Sequence, residues 1–422
     1  MRRYFWLAVA ALIGASPVVA CTGESVHLEG DFSTGSLGWG EVDEQFTLSG
    51  GEAVLTAKPG KQNARWNAGV SLSDLDACVT IAMPEAASDP SRTYAGLLFW
   101  LEDKNNFYEA VIAPNGLFAV ARKIRGKIVP TSPVPWTKVK GLKVGPNDKN
   151  TLGVTLDGQM VTVTVNGTQV ARFRGQPPSQ PNHVGLVAAS GPDSADSWRM
   201  TDFKVTNVPA AKSVAADADA NKATTADASQ SQCADGKVLF VDDFEKHDPA
   251  WGAKNSRLRI ASGEAVVSPA PGTRTFRWNR AFVFDDLIAC ATVRLNKNTS
   301  DPTASYAGLM FWVEDNRNYY QAVVAPSGYF TIARVVDGKV KRSRPVDWTK
   351  TDVVKTGAKK ENTLRVALKG ENAEISINGE QVASFKGEPP HEPSYIGLLA
   401  ASAPSKNGDD WSITDFMVAA PQ

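Results

Sequence analysis

The sequence predicts an all-β protein made of two tandem β-sandwich domains. Apolar residues alternate with period two over short segments, as in half-buried strands, and helical periodicity is nearly absent. Turn dipeptides such as Asn166-Gly167 separate these segments about every eight to twelve residues, a spacing typical of sandwiches and jelly rolls. The same pattern then occurs a second time along the chain. Together these three observations predict a duplicated all-β domain.

Length and composition agree with this prediction and exclude some functions. A chain of 422 residues is too long for one ordinary domain and fits two of about 200 residues. Its 45 basic and 45 acidic residues balance, which argues against broad electrostatic attraction to nucleic acid or anionic lipid. The chain has 11 Trp, 17 Phe and 8 Tyr but only 4 His. This composition favours packed sheets and stacking surfaces over metal or acid–base chemistry.

The internal repeat has a period of 212 residues over most of its length. This shift superposes Arg65-Trp66-Asn67 on Arg277-Trp278-Asn279 and Tyr94–Leu97 on Tyr306–Leu309. Apart from Trp6, every Trp has a counterpart in the other copy. Because solenoid units are only some 20–50 residues long, a period near 200 indicates a duplicated domain.

The first twenty residues have the pattern of a signal peptide. Arg2 and Arg3 precede a short apolar segment, and small residues lead up to Ala20. No later stretch approaches the roughly 20 apolar residues of a transmembrane helix. The sequence therefore predicts export, to the periplasm or the medium.

The predicted division of the chain follows from the repeat and the signal peptide. The signal peptide occupies residues 1–20, and the domains occupy 21–206 and 233–420. A flexible linker at 207–232 is rich in Ala, Asp, Lys, Thr and Ser.

Four cysteines have the same spacing in both copies. Cys21 and Cys78 are 57 residues apart, and so are Cys233 and Cys290. In an oxidising compartment this spacing predicts one disulfide in each domain. An alternative is that the segment ending at Cys21 is a lipobox and that this cysteine carries a lipid. The polar residues before Cys233 cannot form such a signal, so the matched spacing favours disulfides.

The most regular strand runs from Tyr94 to Glu102. Its alternation predicts that Ala95, Leu97, Phe99 and Leu101 face the core. Tyr94, Gly96, Leu98, Trp100 and Glu102 are then expected on the opposite face, as are their counterparts from Tyr306 to Glu314. Further strands, Leu152–Leu156 and Met160–Val165, lead to Asn166-Gly167, a strong hairpin signal.

Around this strand the sequence reads Ala-Gly-Leu-x-Phe-Trp-x-Glu-Asp-x-x-Asn-[Phe/Tyr]-Tyr in both copies. With the Asp-Phe openings, the Pro-x-Gly-x-Phe-x-x-Ala-Arg segments and the closing Thr-Asp-Phe, each copy resembles the concanavalin A-like jelly-roll family. The resemblance is to its laminin-G-like and 3-keto-disaccharide-hydrolase-like domains in bacterial exported proteins. It implies sugar recognition on the concave sheet and, in some members, cleavage of oxidised disaccharides.

Catalytic residues are not evident in either copy. A glycoside hydrolase of this fold needs in-line carboxylates, but the nearest cluster, Glu41–Glu44, has the wrong spacing and its counterpart, Ala253–Ser256, has no carboxylate. No cluster has metal-ligand spacing. The four histidines each align with a non-histidine residue in the other copy, which argues against shared histidine chemistry: His27, His183, His247 and His391. We therefore predict a non-catalytic protein, with 3-keto-disaccharide hydrolysis and laminin-G-like binding to a protein partner as alternatives.

The predicted ligand is a glycan, bound by aromatic and planar polar groups on the sheet. Sugar faces stack on rings, and sugar hydroxyls pair with carboxylates and guanidinium groups. An alternative is that the Trp and the Arg–Glu pairs only pack and brace the sheet. Four Trp residues fit either a site rim or a loop plug: Trp66, Trp278, Trp136 and Trp348. The predicted ligand-binding residues are Tyr94, Trp100, Glu102, Arg122 and Trp136, with Tyr306, Trp312, Glu314, Arg334 and Trp348.

No cofactor is expected. Glu102-Asp103 and Glu314-Asp315 are compatible with structural Ca²⁺, because carboxylates lie next to each other there with Asn nearby. A simple turn at the end of the strand is the alternative, and we expect the turn.

Overall fold

The computed structural model describes residues 21–30, 32, 38–129, 132–209, 236–404 and 408–421. The predicted signal peptide at 1–20, Cys233 and nearly all of the predicted linker lie outside these residues. The described chain forms two compact units, the first made mostly of residues up to 209 and the second mostly of residues from 236 onward. Each unit contains two sheets.

The first sandwich has fifteen strands. They are β1 Val26–Gly30, β2 Phe46–Ser49, β3 Glu52–Ala57, β4 Gln62–Trp66, β5 Leu75–Ala82, β6 Tyr94–Asp103, β7 Asn106–Ile112, β8 Leu117–Ile124, β9 Lys127–Ile128, β10 Val134–Lys138, β11 Lys149–Asp157, β12 Met160–Val165, β13 Thr168–Arg174, β14 His183–Ala189 and β15 Asp196–Thr206. An eight-stranded sheet has the order β13-β12-β11-β5-β15-β3-β2, with β1 beside β15. A seven-stranded sheet has the order β10-β8-β7-β6-β14-β4, with β9 beside β8.

The second sandwich repeats this arrangement. Its strands are β16 Val238–Asp242, β17 Leu258–Ala261, β18 Glu264–Val267, β19 Arg274–Trp278, β20 Leu287–Leu295, β21 Tyr306–Val313, β22 Tyr319–Val324, β23 Tyr329–Val336, β24 Lys339–Val340, β25 Val346–Lys350, β26 Glu361–Lys369, β27 Asn372–Ile377, β28 Glu380–Lys386, β29 Tyr395–Ala401 and β30 Trp411–Ala419. The eight-stranded sheet is β17-β18-β30-β20-β26-β27-β28, with β16 beside β30. The seven-stranded sheet is β19-β29-β21-β22-β23-β24, with β25 beside β23.

The fold-class prediction is confirmed: the described chain is nearly all β and forms two jelly-roll sandwiches. A single-turn 3₁₀ helix at Pro249–Trp251 interrupts the strands of the second. In the part of the chain that the structure describes, no helix has the length and apolar character needed to cross a membrane.

The predicted hairpin is present in both sandwiches. Asn166 and Gly167 both have positive φ, at 49° and 75°, and connect β12 to β13. Asn378 and Gly379 do the same between β27 and β28, at 51° and 88°. Such a turn needs positive φ at both central positions, which is why Asn-Gly was a reliable signal.

A disulfide joins Cys21 to Cys78, whose Cα atoms are 5.9 Å apart. It ties the start of the described chain to β5 in the middle of the eight-stranded sheet. This confirms the predicted bridge of the first sandwich. Cys290 is also disulfide-bonded, whereas its predicted partner Cys233 lies outside the described residues.

The core of each sandwich lies between its two sheets and includes a Trp residue near the start of that sandwich. Trp39 packs edge-on against Phe203 with ring centroids 4.8 Å apart. Trp251 packs against Phe416 in the same way, at 5.3 Å. These Trp residues are buried, so each packs the segment after the first strand of its sandwich against the last strand.

Candidate functional site

A β-bulge in β6 decides which side chains reach each face of the seven-stranded sheet. Leu98 pairs with Gly185 of β14, but the next pair is Leu101 with His183. Three residues of β6 therefore span the distance that two residues of β14 span. Trp100, inside the bulge, has a φ of 45°. This irregularity reverses the alternation for the end of the strand.

The bulge corrects the sequence prediction for two residues. Leu101 lies with Leu98 and Phe107 on the face turned away from the sandwich core, not with Phe99 in the core. Trp100 turns inward instead and is only 2% exposed. The second sandwich has the same bulge, with Trp312 at a φ of 47°.

The sequence predicted Trp100 on one face with Tyr94, and Trp312 on one face with Tyr306. The structure shows that neither Trp lies on that face. The indole of Trp100 contacts Tyr108 edge-on at 5.2 Å, and that of Trp312 contacts Tyr320 at 5.1 Å. Both indoles are buried. In this conformation neither ring has a free face on which a ligand could stack.

Glu102 and Glu314 are exposed near the ends of their strands. The carboxylate next to each of them closes a turn. Asp103 Oδ1 accepts a hydrogen bond from the backbone N–H of Asn105 at 2.6 Å. Asp315 Oδ1 likewise accepts from the Arg317 amide at 2.7 Å. Among the described residues, no group of three or more His, Cys, Asp and Glu side chains is arranged to hold a metal ion.

Arg122 and Arg334 lie on the core-facing register of β8 and β23, apart from Tyr94 and Tyr306. The Arg334 guanidinium lies 5.5 Å from the ring centre of Tyr320, its partner across β22 and β23, and forms an ion pair with Glu388 at 2.5 Å. It helps line an open groove of about 820 Å³ with the exposed cations Lys341 and Arg342. Arg122 Nη1 donates to Gln176 Oε1 at 2.6 Å. In both copies the arginine has a bracing contact of the kind that the sequence left as an alternative.

Two of the predicted residues do meet on the face of the first seven-stranded sheet that is turned away from the core. The rings of Tyr94 and Trp136 lie 5.8 Å apart, and Trp136 is 44% exposed. The half-buried Trp66 packs on the same surface. We call this surface the first outer face. It rests on a buried apolar layer that contains only residues of the seven-stranded sheet: Leu98, Leu101, Phe107, Val111, Ala119 and Val187.

Polar groups adjoin the rings of the first outer face. Gln62 Nε2 donates to Glu109 Oε2 at 2.6 Å and lies 3.3 Å from the Tyr94 hydroxyl. Gly96 lies on β6, between β14 and β7. It has no room for a side chain, because a Cβ there would be 1.9 Å from the Ala110 carbonyl oxygen. Burial raises the pKa of Tyr94 well above its usual value, and the nearby Glu109 carboxylate raises it further. The phenol therefore stays protonated and can donate a hydrogen bond.

The second sandwich has an equivalent surface, which we call the second outer face. The rings of Tyr306 and Trp348 lie 5.5 Å apart, and both side chains are half-buried. Phe276 and Trp278 stack nearby with centroids 6.2 Å apart. Trp66 and Trp278 thus lie on the outer faces of both copies.

The polar groups of the two outer faces differ. Gln62 and Glu109 of the first face correspond to Arg274 and Gln321 of the second. Burial raises the pKa of Tyr306, while the positive charges of Arg274 and Arg344 oppose the rise. The first face therefore carries a carboxylate where the second carries an amide, and the second adds a guanidinium.

The polar pair was not predicted as a site because Gln62 and Glu109 are far apart in sequence. They meet only when β4 and β7 join one sheet through β14 and β6. Comparison of the two copies nevertheless carries a signal. Almost every aromatic residue of the faces is kept at a shift of 212, while both polar positions change.

The chain was compared with known families, curated proteins and solved structures. No protein-family model and no curated protein matches the chain. Solved structures similar to parts of it include carbohydrate-binding module CBM66 from Bacillus subtilis, with 14% identity over 37% of this chain and 86% of that one and a TM-score of 0.29. Bacillus licheniformis β-glucanase has 9% identity over 44% and 99%, at 0.31. The carbohydrate recognition domain of Emp47p has 16% identity over 46% and 99%, at 0.32.

Proposed function

We propose that the protein is a non-catalytic, exported carbohydrate-binding protein with one glycan-binding surface in each sandwich. The observation that carries the proposal is the Tyr–Trp pair, which occurs at the same position in both seven-stranded sheets. Tyr94 with Trp136, and Tyr306 with Trp348, each bring two aromatic rings together on one face of the sheet. Aromatic rings of this kind are well suited to the apolar faces of sugars.

The adjoining polar groups support a glycan over a purely apolar ligand. Glu109 and Gln62 on the first face, and Gln321 and Arg274 on the second, are planar donors and acceptors next to the rings. Sugar hydroxyls need such partners at fixed positions, because a buried hydroxyl without a hydrogen bond is costly.

A non-catalytic role is supported by the difference between the copies. Glycoside hydrolysis by the usual route needs two carboxyl groups flanking the bond. The second face has Gln321 at the position where the first has Glu109, so the pair of faces shares no carboxylate at this position. The Cys21–Cys78 disulfide supports export, since disulfides persist in oxidising compartments.

Affinity gel electrophoresis with a panel of polysaccharides tests the proposal. We expect the wild-type chain to be retarded by at least one polymer. Combined Trp136→Ala and Trp348→Ala should abolish the retardation, because each removes a stacking ring. Val144→Ala, which changes an exposed side chain that belongs to neither Tyr–Trp pair, serves as the control. Retardation that persists in the double variant would overturn the proposed faces, and turnover of a 3-keto-glycoside would favour the hydrolase instead.

A further inference from the structure

The second outer face contains polar atoms that have no partner within the protein. Gln321 is 3% exposed, and its Oε1 atom is buried without a hydrogen bond. Nη1 of Arg274 is also buried without one. Each such atom costs free energy unless a ligand or water satisfies it. A donor with positive charge and an acceptor are thus both unpaired on one surface.

The equivalent atoms of the first outer face are paired with each other. Gln62 Nε2 donates to Glu109 Oε2 at 2.6 Å, so the donor and the acceptor satisfy one another there. Arginine at position 274 and glutamine at position 321 do not make this bond, although their strands and registers correspond. The unpaired state is therefore specific to the second sandwich.

The surroundings of Arg274 identify the charge of the missing partner. Arg274 interacts electrostatically with Tyr306 and Tyr319, and Arg344 adds a second positive charge near Tyr306. Gln321, which replaces the carboxylate of the first face, has no charge. Planar guanidinium groups pair well with carboxylates, and an amide carbonyl accepts from a hydroxyl.

We propose that the second outer face binds a sugar that carries a carboxylate, such as a uronic acid residue, with Arg274 pairing the carboxylate and Gln321 accepting from a hydroxyl. This inference rests on the proposed glycan-binding function and gives its second face a ligand class. The first outer face, with Glu109, repels such a sugar and takes an uncharged one. The two sandwiches thus recognise different residues of a glycan.

The test uses the full chain with Trp136→Ala, which silences the first face. Its binding is measured by affinity electrophoresis to polygalacturonate, alginate and glucuronan, and to the carboxyl-reduced, neutral form of each polymer. We expect at least one acidic polymer to bind at least ten-fold more tightly than its reduced form. Adding Arg274→Gln, the residue of the first copy, should lower that affinity about ten-fold or more and leave the neutral form unaffected.

A control separates this site from general attraction to positive charge. Arg342→Gln removes a cation from the neighbouring open groove and should change binding less than two-fold. Equal binding of acidic and reduced polymers, or an equal loss with Arg342→Gln, overturns the carboxylate assignment while the glycan-binding function stands. Failure to bind any of the six polymers overturns the assignment as well. In that case the wild-type chain on the neutral polysaccharide panel decides whether the proposed function falls with it.

Discussion

The backbone nitrogen of Cys21 lies 2.9 Å from Oδ2 of Asp76. Asp76 is fully buried, and its other oxygen accepts a hydrogen bond from Thr155 Oγ1 at 2.7 Å. The equivalent residue in the second sandwich is Ile288. A buried carboxylate thus occurs in the copy whose first cysteine is predicted to begin the mature chain. Cleavage after Ala20 would place an α-ammonium group beside it.

Asp76→Asn should therefore destabilise the first sandwich of the processed chain. The amide cannot pair with an ammonium group, and hydrogen bonds to charged groups contribute about 1.5–3 kcal/mol. We expect the free energy of unfolding, measured in urea, to fall by about that amount. Thr155→Val removes the hydroxyl group that donates to the same carboxylate and leaves the pairing with the ammonium group, so it should also cost about 1.5–3 kcal/mol.

The charge contribution has its own check. A chain with one serine added before Cys21 keeps the amide hydrogen bond but moves the ammonium group away. We expect it to lose stability relative to the processed chain, and Asp76→Asn should cost less in that background. Equal costs in both backgrounds would show that Asp76 acts only as a neutral acceptor. Mass spectrometry of the exported protein checks that its first residue is an unmodified Cys21.

Removal of the Cys21–Cys78 bridge should have a larger effect. Closing a loop of 57 residues stabilises a domain by about 4 kcal/mol in the chain-entropy model. We expect Cys21→Ser combined with Cys78→Ser to lose stability of this order in urea unfolding. Reduction of the wild type should destabilise the first sandwich by the same amount, and it should also destabilise the second sandwich because it breaks the bridge at Cys290. Unchanged stability in both would contradict the structural role of the bridge.

The Trp residues separate into two classes with different expected effects. Trp100 and Trp312 are buried between the sheets, and Trp→Ala at such positions costs about 3–5 kcal/mol. Trp136 is 44% exposed, so Trp136→Ala should change stability by less than about 1 kcal/mol and abolish glycan retention by the first face. Thermal unfolding and affinity electrophoresis, run on the same samples, distinguish the classes. Loss of binding by Trp100→Ala with full stability would contradict this assignment.

The sequence predicted the fold class, the hairpins and one bridge because each depends on local or repeated signals. Asn166-Gly167 has a backbone requirement that few other dipeptides meet, and the matched cysteine spacing needs only a comparison of the two copies. Alternation along β6 was predicted well up to Phe99. These features require no knowledge of which strands become neighbours.

The site was predicted less completely, for two physical reasons. The bulge at Trp100 adds one residue to β6, and no residue of low β-propensity marks it, since Phe99, Trp100 and Leu101 all suit a regular strand. The Gln62–Glu109 bond joins strands that become neighbours only through the sheet order. Tyr94 and Trp136 could be named as candidates because Tyr94 begins an alternating segment and Trp136 follows two prolines in the sequence.

His247 should make the second sandwich sensitive to acid. Its Nε2 lies 2.8 Å from the Gly252 carbonyl oxygen, and burial lowers its pKa below the usual 6.5. Because the folded pKa is depressed, the neutral ring contributes stability that is present above 6.5 and is lost as the pH falls through the folded value. We expect the stability of wild type relative to His247→Gln to decrease between about pH 7 and about pH 5. A difference that does not depend on pH would contradict this.

Exchange of the polar pair between the faces should move the preference for acidic sugars from one sandwich to the other. Gln62→Arg with Glu109→Gln gives the first outer face the polar residues of the second, on corresponding strands. In a Trp348→Ala background, which silences the second face, this chain should bind a carboxylate-bearing polymer at least ten-fold more tightly than its parent does. The exchange removes the hydrogen bond between Gln62 and Glu109 and leaves a guanidinium group that can pair with the sugar carboxylate. It also removes the Glu109 carboxylate, which repels that sugar. Glu109→Gln alone is the control and should give only a small gain. If the double exchange gains no more than that control, the arginine position does not set the charge preference.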